Sequence, residues 1–471
     1  MFKTTDNKVL LVLVLFQAVL CFAVVGAFPI SLDEPFSIYH SQFPIGELLE
    51  EVSKGNNSPL HFVLLHGWIK VFGTSAIAVR SLSILVSLIT LVVLFKLSRK
   101  FFNLQWSSIV VLLFVFSRLD HYVAMEARMY GCLTLFFVLI LYDLFRLIFE
   151  DKRVFIQLGV WNALLLYTHY LGGVIILMEC LIFLAYFKRL NKSKWGQAIG
   201  SFCIGGVLFV PGIAVFLNRA SDFNASGTWV PDVVVADLWT NLVKLLNNQF
   251  TLIVVVVFLT VAIYLQRSKG QVEKKVTAIN FPLAWFLGTY FLIYLLSLLV
   301  QPIFFIKYLQ FLTIPLIIAL VGIWSQTKLD QKRRWLFFLV VVPFALSFKP
   351  VPDINRNTDE LVAFVRSEIG QGGKVYYCPP HYGLTLAYHY DRVIFEDYYN
   401  TGMRMLNAGF IPVYSHEDVF LEQGKLIFID FDSKLLYPNN GILSKLDLNC
   451  QFIASETFKG DFHVYVYSYE N

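Results

Sequence analysis

Long apolar stretches recur along this chain of 471 residues, and they constrain its fold more than any other feature. A bilayer core about 30 Å thick takes roughly 20 apolar residues per crossing helix. Eleven stretches approach that length, near residues 9–29, 75–97, 104–118, 129–149, 154–168, 171–187, 196–217, 250–266, 281–300, 309–326 and 334–349; the third and fifth are the shortest. Composition agrees: 57% of residues are hydrophobic and 15% charged, where soluble domains run nearer 45–50% and 25%. The net charge of +5 is too small to call for a polyanionic partner. A disordered chain, a nucleic-acid binder and a single water-soluble domain are excluded, and the expected fold class is an α-helical polytopic membrane protein.

The first stretch is expected to be a span and not a cleaved signal, because its apolar run is long and no small-residue cleavage site follows. From residue 350 the chain turns polar and Gly- and Pro-punctuated, with β-rich runs KVYYCP, RVIFE, KLIFID and HVYVYSY. The expected division is therefore 1–349, a membrane domain, and 350–471, a small α/β domain. Basic residues test the span count. With a cytoplasmic N-terminus, the inner segments carry Lys3 and Lys8, Lys96 to Lys100, Lys152 and Arg153, Lys188 to Lys194, Arg267 to Lys275 and Lys328 to Arg334. The outer segments hold Lys54, Lys70, Arg118, Arg128, Arg219, Lys244 and Lys307. Eleven spans place the C-terminal domain outside.

Cys21, Cys132, Cys180 and Cys203 fall in apolar stretches and are expected to be packing residues. Cys378 and Cys450 fall in the C-terminal domain, where an external compartment permits a disulfide. No CxxC, HExxH or Gly-rich phosphate loop is present, so a nucleotide-driven pump and a zinc protease have no support. No internal repeat favours an inverted-repeat transporter.

Ionisable groups near the outer membrane surface stand out against this background. Asp33 and Glu34, in SLDEPFSIYH, are either an ordinary acidic loop or a general base with a metal-holding partner. A carboxylate beside lipid and a second negative charge abstracts a proton near neutral pH more readily than one in water. The run SRLDHYVAMEARMY holds Asp120, His121, Glu126, Arg128 and Tyr130. If it is helical, Glu126 and Tyr130 share a face. Arg128 either bridges to Glu126 or Asp120, or holds a phosphate with its planar fork. Lys307, in QPIFFIKYLQ, is either an interfacial anchor or a phosphate ligand. His169, in THY, sits at the outer end of the fifth stretch. The segment at 58–73 is expected to lie in the interface as a helix; its His61 and His66 are five apart and do not share a helical face. His381, Tyr382, His389 and Tyr390 look like packing residues of the C-terminal domain.

These motifs in this order, DEPFSIY, SPLHFVLLHGWIKVFGTSAIAVRSLS, MEARMY, THY and IKYLQFLTIP, resemble the GT-C superfamily of polytopic glycosyltransferases. The branch they resemble contains protein O-mannosyltransferases, aminoarabinose transferase and Rgt-type lipopolysaccharide glycosyltransferases, and the likeness covers roughly residues 5–325. The resemblance implies transfer of a sugar from a polyprenyl- or dolichyl-phosphate donor to a lipid, glycan or protein acceptor outside the cytoplasm. Asp33 would then be the general base, Glu34 its support or a ligand of a divalent metal ion, and Arg128 and Lys307 the donor-phosphate ligands. Asp120, Glu126, Tyr130 and His169 would support them. Lys307 departs from the family pattern, which more often has Arg-Tyr there, so a point charge replaces a fork. A transporter or flippase of a lipid-linked glycan is the alternative; against it, the ionisable groups gather on one face and spans six, seven and nine are nearly free of charge apart from Glu179. The expected location is the inner (plasma) membrane.

Overall fold

The structure, a computed structural model, describes residues 4–30, 33–55, 57–150, 152–226, 230–266, 277–327, 338–351, 358–370, 373–460 and 462–470. Its helices begin with α1 (Thr4–Phe22), α2 (Asp33–His40), α3 (Ile45–Lys54), α4 (Leu60–Phe72), α5 (Ala76–Phe101), α6 (Leu104–Val115) and α7 (Arg118–Ala124). They continue with α8 (Tyr130–Phe149), α9 (Phe155–Thr168), α10 (Gly172–Ala185), α11 (Lys192–Ser226), α12 (Val235–Leu245), α13 (Gln249–Gln266), α14 (Thr277–Leu299), α15 (Ile306–Leu309), α16 (Thr313–Ser325) and α17 (Val341–Ser347). The C-terminal part holds α18 (Thr358–Ile369), β1 (Lys374–Cys378), α19 (Gly383–Tyr390), α20 (Arg392–Glu396), α21 (Thr401–Asn407), β2 (Phe410–Pro412), β3 (Gly424–Phe431), α22 (Ile442–Asn449), β4 (Gln451–Phe458) and β5 (Phe462–Tyr469).

Each of the eleven apolar stretches contains helix, but not each is a full span. Among the described residues six helices are long and apolar enough to cross a membrane. The pairs α6–α7 and α12–α13, bent by 66° and 83°, raise the number to eight. The shortfall lies in α9, α10 and Phe338–Ser347. At about 1.5 Å per residue, the 14-residue helices α9 and α10 are roughly 21 Å long, short of the hydrocarbon thickness. Part of the eleventh stretch lies outside the described residues. Cys203, expected to pack, is exposed on α11, and Cys378 and Cys450 are free thiols.

By compactness the chain forms two units. One comprises Met1–Val25, Leu49–His61 and Arg80–Pro350, the other Gly26–Leu48, Phe62–Val79 and Val351–Asn471. The second unit thus gathers two early segments with the residues after 350, and long-range hydrogen bonds show why. Tyr39 donates to the Tyr398 carbonyl at 2.7 Å, Thr74 to Glu396 at 2.6 Å and Tyr399 to Glu47 at 2.8 Å. Its sheet runs β2-β1-β3-β5-β4; β1 is parallel to β2 and β3, while β5 is antiparallel to β3 and β4. The runs KVYYCP, KLIFID and HVYVYSY form β1, β3 and β5. RVIFE is instead α20: the Asp391 side chain caps the Val393 N–H at 2.8 Å, and Ile394 and Phe395 turn inward while Val393 is exposed.

In the helical unit α9 and α11 meet through glycines. A Cβ on Gly159 would lie 2.7 Å from both the Ile204 Cβ and the Ser201 carbonyl oxygen, and one on Gly205 would lie 3.2 Å from the Gly159 carbonyl oxygen. Small residues let membrane helices approach backbone to backbone. Gly159→Ala is therefore expected to force these helices apart at a cost of about 1–3 kcal/mol, measured as a lowered thermal midpoint of the purified protein. An unchanged midpoint would show that the contact relaxes freely.

Candidate active site

The helix α7 ends at Ala124, and residues 125–129 form a turn before α8. The stretch is not one continuous helix, so the condition under which Glu126 and Tyr130 would share a face is not met. The Glu126 carbonyl takes hydrogen bonds from the Arg128 N–H at 2.8 Å and the Ser83 hydroxyl at 2.7 Å, which fixes the turn against α5. The residue four away that Glu126 does meet is Tyr122, on the helical side of the break. Its hydroxyl donates to Glu126 Oε1 at 2.8 Å.

Lys307 joins the same oxygen. Its Nζ lies 2.8 Å from Glu126 Oε1, with side-chain exposures of 13% and 7%. A pair this buried is costly to desolvate and is weak evidence of stability, so a functional reason for keeping it gains weight. The Lys307 ammonium also lies 5.5 Å from the Tyr122 ring centre and 5.3 Å from that of Tyr130, within cation–π range. Gln310, one turn on, donates to the Tyr130 carbonyl at 3.0 Å and bonds the Thr134 hydroxyl, locking the segment that carries Lys307 to the start of α8. Tyr308 and His169 close the wall, with ring centres 5.3 Å apart, and Tyr130 lies 5.9 Å from His169.

Arg128 is buried and donates to the Asn57 side-chain oxygen at 3.1 Å. Its charge acts on His61 and His169. Burial first, and Arg128 second, push the His61 imidazole down to about 3 and that of His169 to about 4. Both rings are neutral at neutral pH, and the positive charge of this site resides on Arg128 and Lys307. Asp120, also buried, sits beside the hydroxyls of Ser117 and Thr313.

The histidine shifts carry a sign. Above pH 6.5 both rings are neutral folded and unfolded, so they cost nothing. Below it the unfolded chain takes up protons first and stability declines toward pH 4. The melting temperature is expected to fall between pH 6.5 and 5, and His169→Gln to flatten that slope. A slope unchanged in the variant would contradict the neutral assignment.

Asp33 and Glu34 belong to the other unit. They open α2, with Asp33 exposed and Glu34 buried, and α2 packs against α19. The Asp33 carboxylate acts electrostatically on His381, just before α19: surrounding protein lowers the solvent-accessible His381 imidazole's pKa, and the Asp33 charge opposes this. His381, set aside on sequence as packing, is thus a neighbour of the expected base. Among the described residues no group of three or more His, Cys, Asp or Glu side chains is arranged to hold a metal ion; no third such ligand joins the Asp33–Glu34 pair.

Of the expected site residues, Glu126, Arg128, Tyr130, His169 and Lys307 converge in the helical unit. Sequence reasoning missed Asn57, His61, Tyr122, Tyr308 and Gln310. Tyr122 lies four residues before Glu126, and Tyr308 and Gln310 lie inside IKYLQ, so their motifs carried a signal; Asn57 and His61 had none that pointed to Arg128.

Known proteins share this architecture. The sequence pattern of the dolichyl-phosphate-mannose-protein mannosyltransferase family matches residues 56–214. The structure resembles ArnT from Cupriavidus metallidurans in the apo state, with TM-score 0.50 and 11% identity over 98% of this chain and 98% of that one. It also resembles the oligosaccharyltransferase of Archaeoglobus fulgidus in the apo form, with TM-score 0.54 and 10% identity over 99% of this chain and 74% of that one. No curated protein matches by sequence. At these identities the structural likeness is one of fold, and together with the partial family match it bears out the resemblance read from the sequence.

Proposed function

We propose that the protein is a multi-pass glycosyltransferase of the plasma membrane. It moves a single sugar from a polyprenyl- or dolichyl-phosphate donor to an acceptor hydroxyl on the extracytoplasmic side, where its C-terminal α/β part also lies. The observation that carries this reading is the buried site in which Lys307 and Arg128 supply positive charge among Tyr122, Tyr130, Tyr308 and two neutral histidines.

In the proposed reaction the acceptor oxygen attacks the anomeric carbon as Asp33 takes its proton, and the bond from that carbon to the phosphate oxygen breaks. The bonding pair leaves on polyprenyl phosphate, which departs as a dianion. Attack opposite the leaving group inverts the anomeric centre. Arg128 and Lys307 stabilise the charge that develops on the phosphate, the type of preorganised electrostatic contribution that dominates many enzymes. Glu126 and Tyr122 hold Lys307 in place, and Tyr130, His169 and Asp120 support the cluster. A divalent ion bound by Asp33 and Glu34 would add Lewis acidity; no step here depends on it.

Native mass spectrometry tests the phosphate assignment. The wild-type protein is expected to retain one polyprenyl phosphate and to release polyprenol, and Arg128→Gln to lose the phosphate lipid. Equal retention of polyprenol and polyprenyl phosphate would overturn the assignment.

A further inference from the structure

A separate cavity lies within the sheet-bearing unit. It is open to solvent, offers about 260 Å³ and is lined by Gly26 to Ile30, Ala76, Asp359, Tyr388 and His389. Asp359 and His389 supply its charge. The His389 side chain is 5% exposed while that of Asp359 is 65% exposed, and the two pair through Nδ1 and Oδ1. The other ring nitrogen, Nε2, lies 2.6 Å from the Ile30 carbonyl oxygen. The ring is thus held between the Asp359 carboxylate and the Ile30 carbonyl. The buried histidine aims the carboxylate.

Three ligand classes fit this cavity badly. A phosphate would meet the Asp359 carboxylate, with no Lys or Arg among the described residues of the lining. A free cation would find a carboxylate whose Oδ1 is already engaged by His389. An apolar chain would strip water from Asp359, whose Oδ2 has no partner among the described residues, at a desolvation cost without return. An uncharged, hydroxyl-rich ring satisfies every constraint. Asp359 Oδ2 accepts from a ring hydroxyl. Tyr388 is held rigid by its hydroxyl bond to the Thr74 carbonyl at 3.2 Å and by the Arg392 guanidinium 3.9 Å from its ring centre. The volume lies just below the range of about 300–1,000 Å³ that drug-sized ligands fill, room for one ring and too little for a polyprenyl tail.

We propose that this cavity is a subsite for one sugar ring of the acceptor, with Asp359 as its hydrogen-bonding anchor and His389 as the residue that positions Asp359. The inference rests on the transferase reading above in naming a glycan as the acceptor class. It is compatible with the local architecture, because His389 lies on α19, the helix that packs against the Asp33-bearing α2.

The test reads binding without transfer, so its outcome is independent of whether Asp33 acts as a base. Full-length protein in detergent is mixed with the methyl glycosides of glucose, galactose, mannose and arabinose, and saturation-transfer NMR reports contact. At least one glycoside is expected to bind saturably. Asp359→Ala, at an exposed position that spares the fold, is expected to raise its half-saturation concentration about tenfold, the scale of a lost charged hydrogen bond. His389→Gln is expected to weaken binding in the same direction. Absence of saturation transfer from all four glycosides, or binding unchanged in Asp359→Ala, would overturn the proposal.

Discussion

Replacing Asp33 by Asn is expected to lower the rate of sugar transfer by about 10²–10⁴-fold, the range a positioned general base contributes, with the melting temperature unchanged. The substitution keeps size and hydrogen-bonding capacity and removes the basic oxygen. Stability is spared because Asp33 is exposed at the start of α2. Glu34, its neighbour, is buried, so Glu34→Gln is the informative contrast: it is expected to disturb the fold of α2 together with activity. Steady-state rates and thermal melts of both variants separate the two roles. An Asp33→Asn enzyme within a few-fold of wild type would remove Asp33 from the chemistry.

Lys307→Ala is expected to lose about 10²–10³-fold in rate, the scale seen when one preorganised electrostatic group is removed from a transition state. It also strands the buried Glu126 carboxylate, and breaking one side of a buried ion pair costs about 3–5 kcal/mol. Activity and stability would fall together, so the single variant cannot assign the cause. The double variant Lys307→Met with Glu126→Gln can: it removes both charges, and is expected to recover the melting temperature while leaving the enzyme inactive. Lys307→Arg, which keeps the charge, is expected to stay within about tenfold of wild type. Recovery of activity in the double variant would make Lys307 an anchor and not a phosphate ligand.

Much of the helical unit was legible because its signal is local. An apolar stretch must find a helix in lipid whatever its neighbours do, and all eleven stretches contain one. Length was less legible: α9 and α10 are too short to span by themselves, and the bends after α6 and α12 follow from breaks that hydropathy does not register. The site was half legible. MEARMY and IKYLQ supplied Glu126, Arg128, Tyr130 and Lys307, but the break after Ala124, which brings Tyr122 to Glu126, was not legible. The grouping of 26–48 and 62–79 with the C-terminal residues was not legible, since it depends on bonds such as Tyr39 to Tyr398 across more than three hundred positions. RVIFE shows the same limit at short range: its β-prone residues become α20 because Asp391 caps them and the surrounding unit buries Ile394 and Phe395.

The central claim is transfer of one sugar from a lipid phosphate, and the most direct measurement is mass spectrometry of the lipids and envelope glycans of the source cells. The gene is deleted, then restored as wild type or as Asp33→Asn. Accumulation of a polyprenyl-phosphate sugar, together with one glycan lighter by a single sugar, is expected in the deletion and in the Asn strain, and both are expected to revert with the wild-type gene. A deletion that leaves lipids and glycans unchanged, or an Asp33→Asn gene that restores both, would contradict it.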